Sequence, residues 1–203
     1  MARYRGPRLR VMRSLGTQLP GLSAKIWDER RPYPPGMHQG KHRSKPSVYG
    51  LQLKEKQKLR YNYGVLEKQF KRYVANSFNA KGDPAQNLVE SLETRLDNVV
   101  FRSGFARSIP QARQLVRHGH IRVNDKKVNI PSYAVTVGEA ITLSKKAESL
   151  TTVQYALENP SLLRPDWLEG DMGDKMSKMV AKPSKDSLPL KVELKAVIEF
   201  YSR

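Results

Sequence analysis

Apolar residues in this chain follow two different periods. From Tyr49 onward, Leu51, Leu59, Tyr63, Leu66, Phe70, Tyr73 and Val74 recur mostly three or four positions apart, with Lys54, Lys56, Lys58 and Arg60 between them. That spacing places one face of a helix inward. Gly64 interrupts the stripe and predicts two helices over 50–80 rather than one. Asp83-Pro84 reads as a helix start, an N-cap carboxylate followed by a residue whose missing N–H costs nothing at the first helical position. Leu88, Leu92, Leu96, Val99 and Val100 then predict a helix over 84–103 that ends before Gly104. Ser108-Ile109-Pro110 opens another helix. It turns Ala112, Leu115 and Val116 inward, offers Arg113 and Arg117 on its exposed side, and stops at Gly119.

Directly after Gly119 the period becomes two. His120-Ile121-Arg122-Val123 and Lys127-Val128-Asn129-Ile130 alternate about Asn124-Asp125, a hairpin signal. Gly138-Glu139 precedes a third strand, Ala140–Leu143. Residues 148–158 read as helical, 166–174 as acidic and irregular, and 191–201 as an apolar closing segment. The pattern gives an α+β fold in three parts. These are a basic extended N-terminal arm over 1–48, a helical domain over 49–92 continued by 151–203, and a small helix-loop-helix plus β-hairpin module over 93–150.

Charge gives these parts a meaning. The chain of 203 residues carries 37 Lys+Arg against 19 Asp+Glu, a net charge of +18, and 38% of it is hydrophobic. Such a surplus calls for a polyanionic partner. It is concentrated at the front. Residues 1–60 hold 15 basic and 3 acidic side chains, whereas residues 161–203 hold 8 and 7. Arg3, Arg5, Arg8, Arg10 and Arg13 crowd the start without a clear period. The stretch Arg30–Gly36 is polyproline-like, and a loop carrying His38, Lys41, His42, Arg43 and Lys45 follows. Charge of this density cannot fold alone but can order against phosphates. The start is Arg-rich like a transit peptide, yet it lacks an amphipathic Ser-rich stretch and is read as part of the mature protein. No apolar run is long enough to span a membrane, and the absence of cysteine excludes disulfides, thiol catalysis and thiolate metal sites.

The stretch 95–143 carries the chemistry. Its second helix presents Gln111, Arg113, Gln114, Arg117 and His118, and the following strand adds His120, Arg122 and Asn124. A rigid basic helix edge beside a basic hairpin can clamp a folded RNA backbone, which is read largely by shape and phosphates. Arginine suits the task because its planar fork binds phosphate bidentately and stacks on bases. Taken singly, these arginines could equally solvate the outer face of an amphipathic helix. Their clustering across helix and hairpin favours binding.

Arg95-Leu96-Asp97-Asn98-Val99-Val100, Gln111–His120, Val123-Asn124 and Ile130–Tyr133 closely resemble the family of small-ribosomal-subunit protein four, whose RNA-binding domain also occurs in other RNA-binding proteins. Met1–Pro7, Arg31–Gly36, Tyr49–Lys58 and Glu199–Arg203 resemble the same family, so the likeness runs essentially end to end. It implies a non-enzymatic, primary rRNA-binding constituent of the small subunit. Such a protein nucleates assembly of the subunit body, sits beside small-subunit protein five near the channel by which mRNA enters, and influences decoding accuracy. Carried onto matching positions, the module's contacts are Arg95, Arg113, Gln114, Arg117, His118, His120 and Asn124, while Lys41, Arg43 and Lys45 fall in the loop pointed toward mRNA. Many bacterial relatives hold zinc through four N-terminal cysteines. Here Leu9 and Met12 stand where the first pair belongs, so no metal or other cofactor is expected. The cysteine-free form with Leu15–Leu22 looks like plastid and cyanobacterial members, which implies a ribosome of the plastid stroma or otherwise the cyanobacterial cytoplasm. No homo-oligomer is expected.

Other readings find less support. His118-Gly119-His120 suggests metal, but the two histidines diverge and no Cys or carboxylate cluster completes a tetrahedral set. Similar modules accompany pseudouridine synthases and tyrosyl-tRNA synthetases, which need a separate catalytic domain. No Gly-rich phosphate loop, Ser/His/Asp set or catalytic Asp motif is present here, and Asp97 is better placed to pair with Arg95, Arg102 or the helix start. A helix-turn-helix DNA binder would not need so long a basic arm with so neutral a C-terminus.

Overall fold

A computed structural model describes residues 4–26, 33–36, 45–170 and 175–202. The expected contacts Arg3, Lys41 and Arg43 lie outside the described residues.

The N-terminal segment departs from the expected extended arm. Residues Arg8–Leu15 form α1, which closes on Gly16 in the left-handed region. Val11, Met12 and Leu15 on its inner face join Leu19, Leu22 and Leu190 in a small separate core. Arginines on the other face obscure this spacing, since only three inward positions in eight are apolar. The apolar set packs the segment against Leu190 of the rest of the chain.

The helical domain follows its stripe. Helices α2 (Val48–Asn62) and α3 (Glu67–Asn79) flank Gly64, whose φ of 58° supplies the left-handed turn that separates them. Helix α4 (Pro84–Glu93) starts with Asp83 accepting the Ala85 N–H at 3.0 Å. Lys56 is an exception to the polar outer face. It is buried and reaches Glu67 at 2.8 Å.

The expected helix over 84–103 breaks in two. After α4, Thr94 and Arg95 leave the helix, and α5 runs Leu96–Arg102. Strand-like pairing displaces the helical bonds at the break. Arg95 bridges Ala134, Leu96 N–H donates to Tyr133 O at 2.8 Å, and Val135 N–H donates to Thr94 O at 2.9 Å. The apolar stripe survives because α5 resumes on the same inward side.

Helix α6 (Ile109–Arg117) starts and stops where the sequence places it. Gly119, at φ 72°, lets its own N–H and that of His120 close on Val116 and Leu115 carbonyls. Strands β1 (Ile121–Val123) and β2 (Lys126–Lys127) form the hairpin. Its turn residues Asn124 and Asp125 both have positive φ, 45° and 63°, as a type I′ turn requires. The second strand is shorter than the alternation to Ile130 suggests. Strand β3 (Ala140–Leu143) pairs with β1. Residues 148–158 resolve into α7 (Lys145–Glu148) and α8 (Thr151–Glu158).

The segment read as irregular contributes β4 (Leu168–Glu169), and β5 (Met176–Met179) follows it, so the described sheet is five-stranded and antiparallel in the order β2-β1-β3-β5-β4. The last helix, α9 (Leu194–Tyr201), packs on α2. One continuous core runs from Leu59 and Phe70 through Leu96, Phe105 and Val116 to Ile121, Ile141 and Val197.

Two cores predict two responses. Phe70→Ala should destabilise the protein by about 3–5 kcal/mol in urea unfolding, because it opens a cavity in the main core. Met12→Ala should chiefly speed amide hydrogen exchange over residues 8–22 while the amides of α4–α6 stay protected.

Candidate nucleic-acid interface

Two buried carboxylates organise the polar groups behind the basic surface. Asp97 is fully buried. Arg95 donates to it through Nε at 3.0 Å and Nη2 at 2.8 Å, and Arg113 through Nε at 2.9 Å and Nη2 at 2.7 Å. Arg113 also donates to the carbonyls of Gly64 at 2.9 Å and Tyr63 at 3.3 Å, so it clamps α6 to the α2–α3 turn. Arg95 reaches the Tyr73 hydroxyl. Burial works against its charge, but Asp97 and Tyr73 outweigh that and hold its pKa above the usual value.

Glu93 lies fully buried beside this pair. It accepts from Tyr63 Oη and from Asn98 Nδ2 at 2.9 Å, with Arg102 Nε 3.5 Å away. Burial raises the Glu93 pKa above the usual carboxylate range against the pull of Arg102, and burial together with Glu93 raises that of Tyr63. Arg102 Nη2 continues to Ser187 O at 2.7 Å.

These contacts revise the expected interface. Arg95 and Arg113, 5% and 9% exposed, are interior groups committed to Asp97. The helical-face spacing that put Arg113 outside misled because α6 packs on two sides, against α5 and against the Gly64 turn. Asp97 pairs with Arg95 as expected, whereas Arg102 takes Glu93. Asn124 is exposed, but its Oδ1 accepts the Ala140 N–H at 2.9 Å, so the side chain closes the β1–β3 end.

The remaining expected residues lie on the surface. Arg5, Arg8, Arg10, Lys45, Gln114, Arg117 and His118 are exposed and His120 is half-buried. Arg13 is half-buried, donating to Tyr33 O at 3.1 Å and lying 5.3 Å from the Tyr33 ring centre. Some of these positions adjoin one another. Arg5 and Arg8 share a cleft with Gln111 and Gln114 at the start of α6. Arg117 and His118 end the helix, and the His118 ring lies 6.1 Å from that of His120.

Lys127 and Lys146 join this group and escaped the sequence reading. The Lys127 chain lies over Gly119, where a Cβ would collide with it. Ser144 N–H donates to His120 O at 2.9 Å and brings the start of α7 alongside. Burial first, then His118, Lys146 and Lys127, push the His120 pKa below its usual value. The position of Lys127, two residues past the hairpin turn, could have flagged it. That of Lys146 depends on tertiary pairing.

None of Arg5, Arg8, Arg117, Arg122, Lys126, Lys127 or Lys146 makes an ion pair with a described carboxylate. Lysines elsewhere do: Lys175 with Glu148, Lys182 with Glu90 and Lys185 with Asp83. Among the described residues no His, Asp and Glu cluster could hold a metal, and no helix is long and apolar enough to cross a membrane.

An open basic ribbon of helix edge and hairpin, anchored from behind by buried ion pairs, defines the class. Residues 94–141 match the S4 domain and residues 3–93 the ribosomal protein S4/S9 N-terminal domain. The chain is similar over its full length to proteins named small ribosomal subunit protein uS4. It is 50% identical to that of Rippkaea orientalis, 48% to that of Nostoc punctiforme and 46% to that of Methylobacillus flagellatus, covering 98–99% of each. It belongs to the uS4 family, a family of structural, non-enzymatic ribosomal proteins.

Asp97→Ala should cost about 3–5 kcal/mol of unfolding free energy, because two buried guanidinium groups lose their shared partner. Arg117→Ala on the open face should stay within roughly 0.5 kcal/mol of wild type in the same urea titration.

Proposed function

We propose that the protein binds small-subunit rRNA through the ribbon formed by the N-terminal segment, α6 and the β1–β2 hairpin. The observation that carries this is the grouping on that side of Arg5, Arg8, Arg117, Arg122, Lys126, Lys127 and Lys146, none of which pairs with a described carboxylate. Unpaired arginines held on a rigid frame are ready for phosphates, and each contact releases a condensed counterion. The interior Arg95 and Arg113 act here as framework, and Gln114, Arg117, His118 and His120 as contacts. In this reading residues 1–48 wrap the RNA and the module over 93–150 docks on it.

The protein then acts as a primary binder that nucleates the subunit body, next to small-subunit protein five and by the channel through which mRNA enters, where it contributes to decoding accuracy. We place it on plastid ribosomes in the stroma. The cysteine-free sequence and the identity of 48–50% to cyanobacterial relatives support this. A cyanobacterial cytoplasm is the second home these features fit.

Arg117→Ala should weaken binding to a small-subunit rRNA fragment by about 1–3 kcal/mol and reduce the salt slope of log K by about 0.7–0.9. Lys182→Ala should change neither. Filter binding across salt concentrations reads both; an unchanged slope for Arg117→Ala, or equal retention of a DNA fragment at roughly 0.2 M salt, would remove the basis for this assignment.

Binding should also respond to pH. The free protein disfavours a charged His120, whereas a nearby phosphate favours it, so binding takes up a proton. Affinity should rise as pH falls through the His120 titration below 6.5. His120→Gln should flatten that rise in the same assay.

A further inference from the structure

The cleft at the start of α6 goes beyond a generic basic surface. Its volume is about 510 Å³, and it lies where the N-terminal segment meets the RNA-binding module. Its charged lining residues are Arg5, Arg8 and Arg113, and no carboxylate lines it. The second large cleft, about 490 Å³ near Trp167, differs in balancing Arg102 and Lys182 with Asp166 and Asp186. Of these two, the first is the one whose charged lining is wholly cationic.

Arg113 is committed to Asp97 and the Gly64 turn, and other donors in the cleft are left open. Ser108 is the N-cap of α6 and lines the cleft, only 7% exposed, yet its hydroxyl makes no hydrogen bond and caps no N–H. A hydroxyl committed to no protein group is free to donate to a ligand in the cleft. At the helix start, Ile109 N–H is taken by Gly21 O at 2.8 Å and Ala112 N–H by Ser108 O at 2.9 Å. Pro110 has no N–H, and the Gln111 N–H donates to no described backbone carbonyl at the positive end of the helix dipole. Gln114 adds an exposed amide.

The two walls are held in register. Gly21 N–H donates to Asn62 Oδ1 at 3.0 Å, and a Cβ on Gly21 would stand 2.8 Å from Ile109 Cδ1, so only glycine lets the segment lie this close. Docking of α1 through Met12 and Leu15 brings Arg8 and Arg5 to the opposite side.

We propose that this cleft is a discrete phosphate pocket. It takes one phosphodiester group of the rRNA backbone, with Ser108 and the Gln111 N–H as neutral donors and Arg5 and Arg8 closing over the group. The proposal rests on the rRNA-binding reading and adds that the N-terminal segment and the module share one subsite. The group stays anionic and no bond is made or broken.

The test uses the full chain with Ser108→Ala and the double variant Arg5→Ala/Arg8→Ala, each checked for folding by circular dichroism. In an NMR titration with inorganic phosphate, the amides of residues 108–112 of the wild type should shift in a saturable way. Both variants should require at least roughly fivefold more phosphate. On the rRNA fragment, Ser108→Ala should lower affinity without altering the salt slope, while the double variant should also flatten it by about 1.5. Absent or non-saturable shifts, or shifts identical in all three proteins, overturn the pocket even if rRNA still binds. Loss of rRNA binding by the wild type overturns the functional reading instead, and the phosphate titration then judges the pocket by itself.

Discussion

Asp97 holds the protein together at the point where its parts meet. The carboxylate is fully buried and binds two guanidinium groups, one beginning α5 and one midway along α6. Through Arg113 the same cluster reaches the carbonyls of the Gly64 turn, and through Arg95 it reaches Tyr73 on α3. Burying three charges is justified only if each finds partners, and here almost every donor has one. An apolar cluster of the same volume would pack as well, but it would not fix the angle between the helical domain and the module. Arg113 restricts it by donating at once to Asp97 and to the Tyr63 and Gly64 carbonyls.

This arrangement separates two kinds of arginine that look alike in sequence. Those facing Asp97 and Glu93 set the frame. Those on the outer edge of α6 and on the hairpin pair with no described carboxylate, which leaves their charge open to a partner. A rigid frame matters for RNA, since phosphates along a folded backbone are fixed in space and a mobile clamp would lose entropy on binding. The Asn124-Asp125 turn serves the same end, with Asn124 spending its side chain on β3 to hold the hairpin at a set angle.

Local features of the fold were legible where the cause is local. The Asp83-Pro84 start, the Gly64 and Gly119 stops, the type I′ turn and the Ala140–Leu143 strand each follow from the residues at that place. Features decided by distant partners were not. Nothing near Arg95 announces the bridge to Ala134 that breaks the helix, and nothing in residues 168–179 announces the strand that β3 supplies a partner for. The candidate contacts divide the same way. The exposed Arg117 and His118 could be read from helical period, but the burial of Arg95 and Arg113 depends on Asp97 and the Gly64 turn. The small core under α1 escaped notice because its five arginine neighbours dominate the composition of the segment.

The packing of α9 on α2 has a bearing on time as well as shape. Gln52 donates to Glu199 at 3.1 Å across 147 residues of sequence. At synthesis rates of about 5–20 residues per second, α2 therefore waits roughly 7–30 s before its last neighbour exists, and β3 waits for β5 in the same way. During that interval Tyr49 lacks Phe200, Phe70 lacks Tyr201 and β3 lacks β5, so α2, α3 and the sheet all await partners. Every contact of α9 with α2, α3 and α4 therefore forms only after those helices have been synthesised.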